Sequence, residues 1–479
     1  MEGKLYIDGA FRDSQNKESF EVRNPYTMEV IGRQASAGEG DLKAAFDGAT
    51  EAFDSWKRLT AYERAEYLRK LDQLMKSHEK ELARIITEEN GKPLAEALGE
   101  VRYAASYVTW YAEEGIRVVG EMLPEHLPHL RLKVNRVPIG PAGIITPWNF
   151  PLAMFVRKMA PALAAGCTVV VKPAGATPLT AVKLFELIHE AGFPKGVCQL
   201  VTGESRSIGK AMMAHKGIKK VSFTGSTEVG KDLLRASGET LKKLSLELGG
   251  HAPFIVFEDA DLNKAVQGAM ESKFRNCGQV CIATNRVLVQ RSVYEEFTAV
   301  LEKEVRRLTF GDGLSGVDMG PIINEAGYLK ITEHVEDALK KGARLVTGGK
   351  GMRSKGESGG FLFQPTILAD VTEEMKITRE ETFGPVLPIM VFDTEEQAYE
   401  MANSTPYGLA AYAYSRDLSR SYRITESLDF GIIGINSGRI SAAQAPFGGM
   451  KESGFGREGG TYGIEDYLVL KYTAVAIDV

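Results

Sequence analysis

Apolar residues along this chain switch between a helical and a strand-like period. Over residues 41–56, Leu42, Ala45, Phe46, Ala49, Ala52 and Phe53 form one stripe, which predicts a helix after an opening stretch of short strands and turns. Two longer helical patterns follow: 60–90, rich in Leu, Ile, Glu and Lys, and 94–119, rich in Ala and aromatic residues. Residues 133–138 alternate as a strand does, and Gly140-Pro-Ala-Gly143 marks a turn. From there Gly143-Ile-Ile-Thr146, Cys167-Thr-Val-Val-Val-Lys172, Gln199-Leu-Val201 and Lys220-Val-Ser-Phe-Thr224 read as strands. Helices are expected between them at 156–165, 178–191 and 207–215, and after them at 230–237. Thr177 is the expected N-cap of the helix at 178–191, with Pro178 at its first position. Short strands alternating with helices of about 10–15 residues predict βαβ units in a doubly wound parallel sheet.

A second α/β segment starts after Leu246-Glu-Leu-Gly-Gly250, with strands at 254–257 and 286–289, helices at 262–276 and 293–308, and a later strand at 408–414. The tail from Gly448 is glycine-rich and then alternates through 467–472. A strand so late in the chain is expected to pair with another subunit's sheet. There is no internal repeat.

Composition narrows the function. A chain of 479 residues exceeds one core, so two or three domains are expected. A net charge of −5 gives no electrostatic footprint for nucleic acid or an anionic membrane surface. The longest apolar run, 159–171, is interrupted by Gly166 and is too short to cross a bilayer. The first residues lack the basic-then-apolar pattern of a signal peptide, and four cysteines make no disulfide framework, so a reducing cytoplasm is expected. No metal is expected: there is no His-Glu-x-x-His and no Cys-x-x-Cys, and His126 and His129 flank Leu-Pro in what reads as a surface loop.

Candidate chemistry centres on Cys281 in Ser272-Lys-Phe-Arg-Asn-Cys-Gly-Gln-Val-Cys-Ile-Ala-Thr-Asn285. A thiol nucleophile needs a base or a depressed pKa, and a separate carboxylate such as Glu247 can serve a later hydrolytic step. Three glycine patterns compete for a nucleotide. Gly311-Asp-Gly-Leu-Ser-Gly316 and Gly454-Phe-Gly-Arg-Glu-Gly459 match the dinucleotide fingerprint as text but lack a strand before and a helix after, so both read as loops. Gly225-Ser-Thr-Glu-Val-Gly230 has that context, and a helix N-terminus there offers free N–H groups to phosphate. Asp232 follows Lys231 where a triphosphate-binding loop needs a hydroxyl for magnesium, which argues against a nucleotide triphosphatase.

Taken in order, Pro147-Trp-Asn-Phe-Pro151, Lys172-Pro-Ala174, Phe223-Thr-Gly-Ser226, Leu246-Glu-Leu-Gly-Gly250, Gly278-Gln-Val-Cys281, Glu380-Glu-Thr-Phe-Gly-Pro385 and Pro446-Phe-Gly-Gly-Met-Lys-Glu-Ser-Gly454 resemble the aldehyde dehydrogenase superfamily across essentially the whole chain. The resemblance implies two doubly wound α/β domains plus a small β unit for oligomerisation. The dinucleotide domain would span 1–121 and 143–248, the catalytic domain 249–446, and the bridging unit 122–142 with 447–479. It implies a homodimer or homotetramer.

It also implies roles. Cys281 would attack an aldehyde, Asn149 would hold the oxyanion with the Cys281 N–H, and Glu247 would activate water; that glutamate argues against acyl transfer to coenzyme A. For the cofactor, Lys172 would bind the adenosine ribose beside Ala174 and Gly175. Thr146, Pro147, Trp148, Asn149, Gly225, Ser226 and Leu248 would border the dinucleotide, and Glu381 would hold the nicotinamide ribose with Phe383 packed nearby. Members that prefer NAD often carry a glutamate three residues after the lysine. Gly175 stands there, so NADP is expected to be accepted and NAD preference is not fixed. Phe274-Arg-Asn276, Val156-Arg-Lys158 and Ile440-Ser441 look like succinate-semialdehyde dehydrogenases, where Arg157, Arg275 and Ser441 would grip a distal carboxylate. Glutarate, 2-oxoglutarate, lactaldehyde- and sulfolactaldehyde-type substrates remain alternatives, as do structural salt bridges for the two arginines. A non-catalytic use of the fold is disfavoured by the intact Asn149, Glu247 and Cys281. Arg439 lies outside the pattern and either adds charge to the pocket or points to solvent. Cys277 reads as a buried thiol packed on a helix, with a disulfide to Cys281 as the alternative.

Overall fold

The computed structural model describes residues 2–478. Its first large sheet runs in the order Gly454–Phe455, Lys243–Glu247, Lys220–Thr224, Ala142–Ile145, Val169–Lys172, Cys198–Leu200, Leu5–Ile7, Ala10–Arg12. The middle five strands are parallel. Both faces are covered, so these strands are short apolar runs. Val169 and Val171 pack under the helices Ala61–Ser77, Leu94–Glu114, Ala153–Ala165 and Leu179–Glu190. Val170, pointing the other way, meets Glu39–Trp56, Ser205–Ala214 and Thr227–Ser237. The parallel part of this sheet starts at Ala142–Ile145, moves outward to Cys198–Leu200, and returns to the other side at Lys220–Thr224. A doubly wound sheet binds ligand where the order reverses, beyond the strand carboxyl ends. Here that crevice lies between Thr146 and Gly225.

The second large sheet orders Arg344–Thr347, Thr366–Ala369, Val386–Phe392, Thr284–Gln290, Ala252–Val256, Ala410–Tyr414 and Ile432–Ile435, parallel except for its first edge strand. The third sheet is small and antiparallel: Leu468–Ala476, Leu130–Pro138 and Glu121–Leu123. Among the described residues no helix is long and apolar enough to cross a membrane.

Several expectations change at the level of elements. The pattern over 60–90 is two helices, Ala61–Ser77 and Glu79–Asn90, broken at His78. The next helix stops at Glu114, short of 119, and the helix at 262 ends at Lys273, three residues before Asn276. Thr177 does not cap the helix Leu179–Glu190. Its first N–H groups, of Leu179 and Thr180, donate instead to the two oxygens of the buried Glu89 carboxyl at 2.7 and 2.9 Å, so one side chain satisfies two donors at once. Gly454 is not in a loop but in a two-residue strand paired with Glu247. The terminal strand pairs over nine residues with Leu130–Pro138 of its own chain, so another subunit is not its first partner. Both edges of a two-stranded pairing cannot be satisfied this way, and its outer edge stays open.

Candidate active site

Cys281 sits between the helix Leu262–Lys273 and the strand Thr284–Gln290, after an unusual turn. Asn276, Cys277 and Gly278 have φ of 47°, 56° and 72°, three left-handed residues in a row. For the two that are not glycine, this costs about 1–3 kcal/mol each unless neighbours hold them. Glycine is required at 278 for a second reason, since a Cβ there would lie 2.2 Å from the Gly384 carbonyl oxygen. Gln279 fastens the turn: its Nε2 donates to the carbonyls of Asn276 (3.1 Å) and Pro321 (3.2 Å), and its Oε1 accepts from the Ile323 N–H at 3.0 Å.

The Cys281 thiol is free and half-buried. Burial pushes it up to about 12; Arg157 and Arg275 oppose this while Glu381 and Glu247 add to it. Among the described residues, the Cys281 backbone N–H has no acceptor. Gly250 lets this segment approach, because a Cβ there would stand 2.4 Å from the Cys281 carbonyl oxygen. Cys277 is a buried free thiol within the left-handed turn, not on the helix.

Asn149 follows the strand Ala142–Ile145 and is 4% exposed. Its Nδ2 donates to the Gln279 carbonyl at 3.1 Å, leaving a second N–H free. Its own carbonyl accepts from Lys92 Nζ (2.7 Å) and Asn276 Nδ2 (3.0 Å). Glu247 ends the strand Lys243–Glu247 at 2% exposed, and neither carboxylate oxygen has a hydrogen-bond partner. Burial, then the charge of Glu458, pushes it well above the usual carboxylate range, against Arg157 and Lys158. A buried carboxylate without donors is costly, so its vacant oxygens call for an explanation in chemistry.

Arg157 is buried, paired with Glu458 and stacked 4.1 Å over the Phe447 ring; its Nη1 has no partner. Glu458 also pairs with Lys158. Burial alone would raise Glu458, but the two cations outweigh it and hold it low. Arg275 is exposed and makes no ion pair; its guanidinium lies 5.3 Å from the Phe150 ring centroid. Ser441 is half-buried with an unspent hydroxyl. No hydrogen bond or ion pair joins Arg157, Arg275 and Ser441 to one another, yet both arginine charges act on Cys281. Arg439 points outward and pairs with Glu271 at 3.4 Å, its side chain 78% exposed.

The crevice at the strand switch collects the other predicted residues. Thr146 Oγ1 is buried and unpartnered there, Pro147 and Trp148 follow half-buried, and the Trp148 ring meets Phe383 edge-on at 5.6 Å. Phe383 is itself left-handed, with φ of 55°. Lys172 is 3% exposed, touches Ser205, and is pushed down to about 8 by burial, with Glu204 opposing. Beyond it, Ala174 is half-buried and Gly175 is exposed, with nothing within 4 Å of a Cβ placed on it. Ser226 caps the helix Thr227–Ser237 by accepting from Val229 N–H at 3.4 Å, and Gly225 and the buried Leu248 lie beside that helix end. Glu381 accepts from the Gly250 N–H at 3.2 Å; burial raises it to about 7. Buried unspent donors, an open helix N-terminus and free space at Gly175 together fit a dinucleotide.

Residues 11–473 match the sequence profile of the aldehyde dehydrogenase family. The chain belongs to that family. It is 51% identical to the NADP-dependent succinate-semialdehyde dehydrogenase of Escherichia coli (strain K12), covering 98% of this chain and 97% of that one. It is 48% identical to the glutarate-semialdehyde dehydrogenase of Pseudomonas putida, covering 99% and 98%. The crystal structure of succinate-semialdehyde dehydrogenase from Burkholderia pseudomallei superposes with a TM-score of 0.97 at 48% identity, covering 99% and 98%.

Within this aldehyde dehydrogenase, four residues that support the site escape a reading of sequence. Lys92 and Glu100 pair at 2.6 Å, buried, and Glu100 also accepts the N–H groups of Leu152 (2.9 Å) and Ala153 (3.2 Å), which fixes the loop bearing Asn149. Glu96 accepts the Asn276 N–H at 2.8 Å. Glu458 lies inside a glycine pattern read as loop. The sequence signal is the Glu96–Glu100 spacing of four, which puts two carboxylates along one face of the helix Leu94–Glu114, with Lys92 just before its start.

Proposed function

We propose that this protein is a non-acylating, NAD(P)-dependent dehydrogenase of aldehydes that carry a distal carboxylate, with succinate semialdehyde as the first candidate. The observation that carries the reading is the pair of unspent cationic donors near Cys281: the unpaired Arg275 guanidinium and the buried, partnerless Nη1 of Arg157. A buried cationic N–H without a partner is expensive, and a carboxylate is the ligand whose geometry matches a guanidinium. Names of the relatives support the same class, and the glutarate enzyme among them keeps the next-longer substrate as a second reading.

In this reading the Cys281 thiol loses its proton to solvent and the thiolate sulfur adds to the aldehyde carbon. Asn149 Nδ2–H and the Cys281 N–H receive the oxyanion, stabilising charge only as it forms. The nicotinamide, when bound, supplies the acceptor for the hydride, and a thioester on Cys281 is left. Glu247 takes a proton from water, the hydroxide adds, and the C–S bond breaks to release the acid. The unpartnered Glu247 oxygens suit this role, since no protein donor competes with the water. Lys172, Ser226 and Glu381 would hold the dinucleotide, with room at Gly175 for a 2′-phosphate.

The same reading divides the chain into a dinucleotide unit (1–121, 143–248), a catalytic unit (249–446) and a bridging unit (122–142, 447–479); residues 1 and 479 lie outside the described residues. Two open strand edges, at Leu468–Ala476 and Ile432–Ile435, support a homodimer or homotetramer; Leu470 and Tyr472 on the former are 68% and 56% exposed. Reduced-cofactor absorbance tests the substrate: succinate semialdehyde, longer ω-semialdehydes and a neutral aldehyde of similar length, each with NAD and NADP. Succinate semialdehyde is expected to lead, and Arg275→Leu to raise its KM about 30- to 100-fold by removing a charged hydrogen bond of roughly 2–3 kcal/mol. A neutral aldehyde turned over equally well by the wild type would rule the carboxylate clamp out.

A further inference from the structure

The segment 92–100, which runs from just before the helix Leu94–Glu114 into its second turn, grips both walls of the active site. Lys92 holds the Asn149 carbonyl, Glu100 caps the helix Ala153–Ala165, and Glu96, four residues from each, reaches across to the turn before the nucleophile. Glu96 stands in the first turn of the helix Leu94–Glu114, where the helix dipole favours a carboxylate. Its Oε2 accepts the Asn276 N–H, the first amide of the left-handed run Asn276–Cys277–Gly278. Around that run the Cys277 N–H donates to the Phe274 carbonyl at 3.1 Å and the Asn276 carbonyl accepts the Gln279 N–H at 3.0 Å, while the Asn276 N–H goes to Glu96 at 2.8 Å. Arg275 precedes the run, and Gln279, whose carbonyl holds Asn149, follows it.

We propose that Glu96 is a positioning residue for aldehyde oxidation: by accepting the Asn276 N–H it holds the left-handed turn that sets Arg275 on one side and Gln279, Asn149 and Cys281 on the other. Removing the acceptor leaves the Asn276 N–H unpaired and lets the first of two strained non-glycine residues shift toward a right-handed conformation, against the remaining hold of Asn149 and Gln279. The guanidinium, the oxyanion donors and the sulfur then lose their common frame. The inference rests on the dehydrogenase reading for its activity arm and stands apart from it in a second arm, the rate at which iodoacetamide alkylates Cys281.

The variants are Glu96→Ala and Glu96→Gln, with Glu96→Leu as a space-filling replacement that also lacks an acceptor, should the alanine variant not fold. The acceptor-less variants are expected to lower kcat about tenfold with succinate semialdehyde and with the neutral aldehyde, equivalent to ~1.4 kcal/mol. They should raise KM several-fold only for the anionic substrate, because Arg275 serves that substrate alone, and should change the alkylation rate at fixed pH. Glu96→Gln keeps an amide oxygen for the Asn276 N–H and is expected within about twofold of wild type. Wild-type kcat and alkylation rate in the alanine or leucine variant would overturn the proposal. So would a glutamine variant as impaired as alanine, which would assign the effect to charge. If the wild type shows no preference for the anionic aldehyde, the substrate reading fails alone. The kcat arm with the neutral aldehyde and the alkylation arm still decide on Glu96.

Discussion

Cofactor choice turns on a place where the structure holds no side chain. Gly175 is exposed, its backbone is not left-handed, and a Cβ added to it meets no atom within 4 Å, so Gly175→Glu introduces a carboxylate without strain or clash. Lys172, three residues earlier, is the cation at that end of the crevice, already pushed down to about 8 by burial. A new carboxylate facing a 2′-phosphate of charge about −1.5 to −2 across about 5 Å, at an effective dielectric of ~20, is repelled by roughly 5 kcal/mol. Solvent screening at so exposed a position removes about half, leaving ~2–3 kcal/mol. With NAD the same carboxylate meets a 2′-hydroxyl and gains a hydrogen bond instead.

The ratio of kcat/KM for NADP to that for NAD is therefore expected to fall about 30- to 150-fold in Gly175→Glu. Initial rates at saturating aldehyde measure it, and a thermal melt unchanged from wild type confirms that only the site has moved. Glu204 makes the magnitude a real test. It already contributes negative charge near Lys172 while capping the helix Ser205–Ala214, and it is fully exposed. If the ratio moves less than about threefold, the 2′-position does not face Gly175, and the reasoning from open space and Lys172 is wrong.

Two further outcomes follow from the buried charges. Glu247→Gln is expected to release about one equivalent of reduced cofactor per subunit in a burst and then turn over about 10²- to 10³-fold more slowly, with an acyl adduct on Cys281 seen by intact-protein mass spectrometry; wild-type steady-state rates would remove Glu247 from the hydrolytic step. Because burial lifts the Cys281 thiol to about 12, the reactive thiolate grows with pH, and alkylation of the cofactor-free enzyme is expected to rise about tenfold per unit between pH 7 and 9; a plateau below pH 8 would mean that Arg157 and Arg275 outweigh burial.

The two parallel sheets were legible because each buried strand is a short apolar run between turns. Val169-Val-Val-Lys172 and Lys220-Val-Ser-Phe-Thr224 are such runs, and the strand-then-helix context singled out Ser226 over two glycine patterns that match better as text. What could not be read were features set by a partner distant in sequence. Thr177 is a sound local cap, yet Glu89, ninety residues before Leu179, takes its place. Asn276 and Cys277 give no local hint of left-handed backbone; the contacts that hold them come from Glu96, Asn149 and Gln279.

Glu458 is the clearest case, because its meaning lies wholly in a balance of charges. Buried beside Glu247, it raises that carboxylate; buried beside Arg157 and Lys158, it is itself held low. Substituting Glu458 would leave two buried cations uncompensated next to Glu247 and would favour its ionised form. The proton affinity of the proposed base, set first by burial, is thus raised further by a residue 211 positions away that never needs to touch substrate. Residues that react are recognisable by type, since few side chains can attack a carbonyl or activate water. Residues that set the field around them can be any charge that folding carries into place, which is why candidates for the chemistry could be named from the sequence and the electrostatics around them could not.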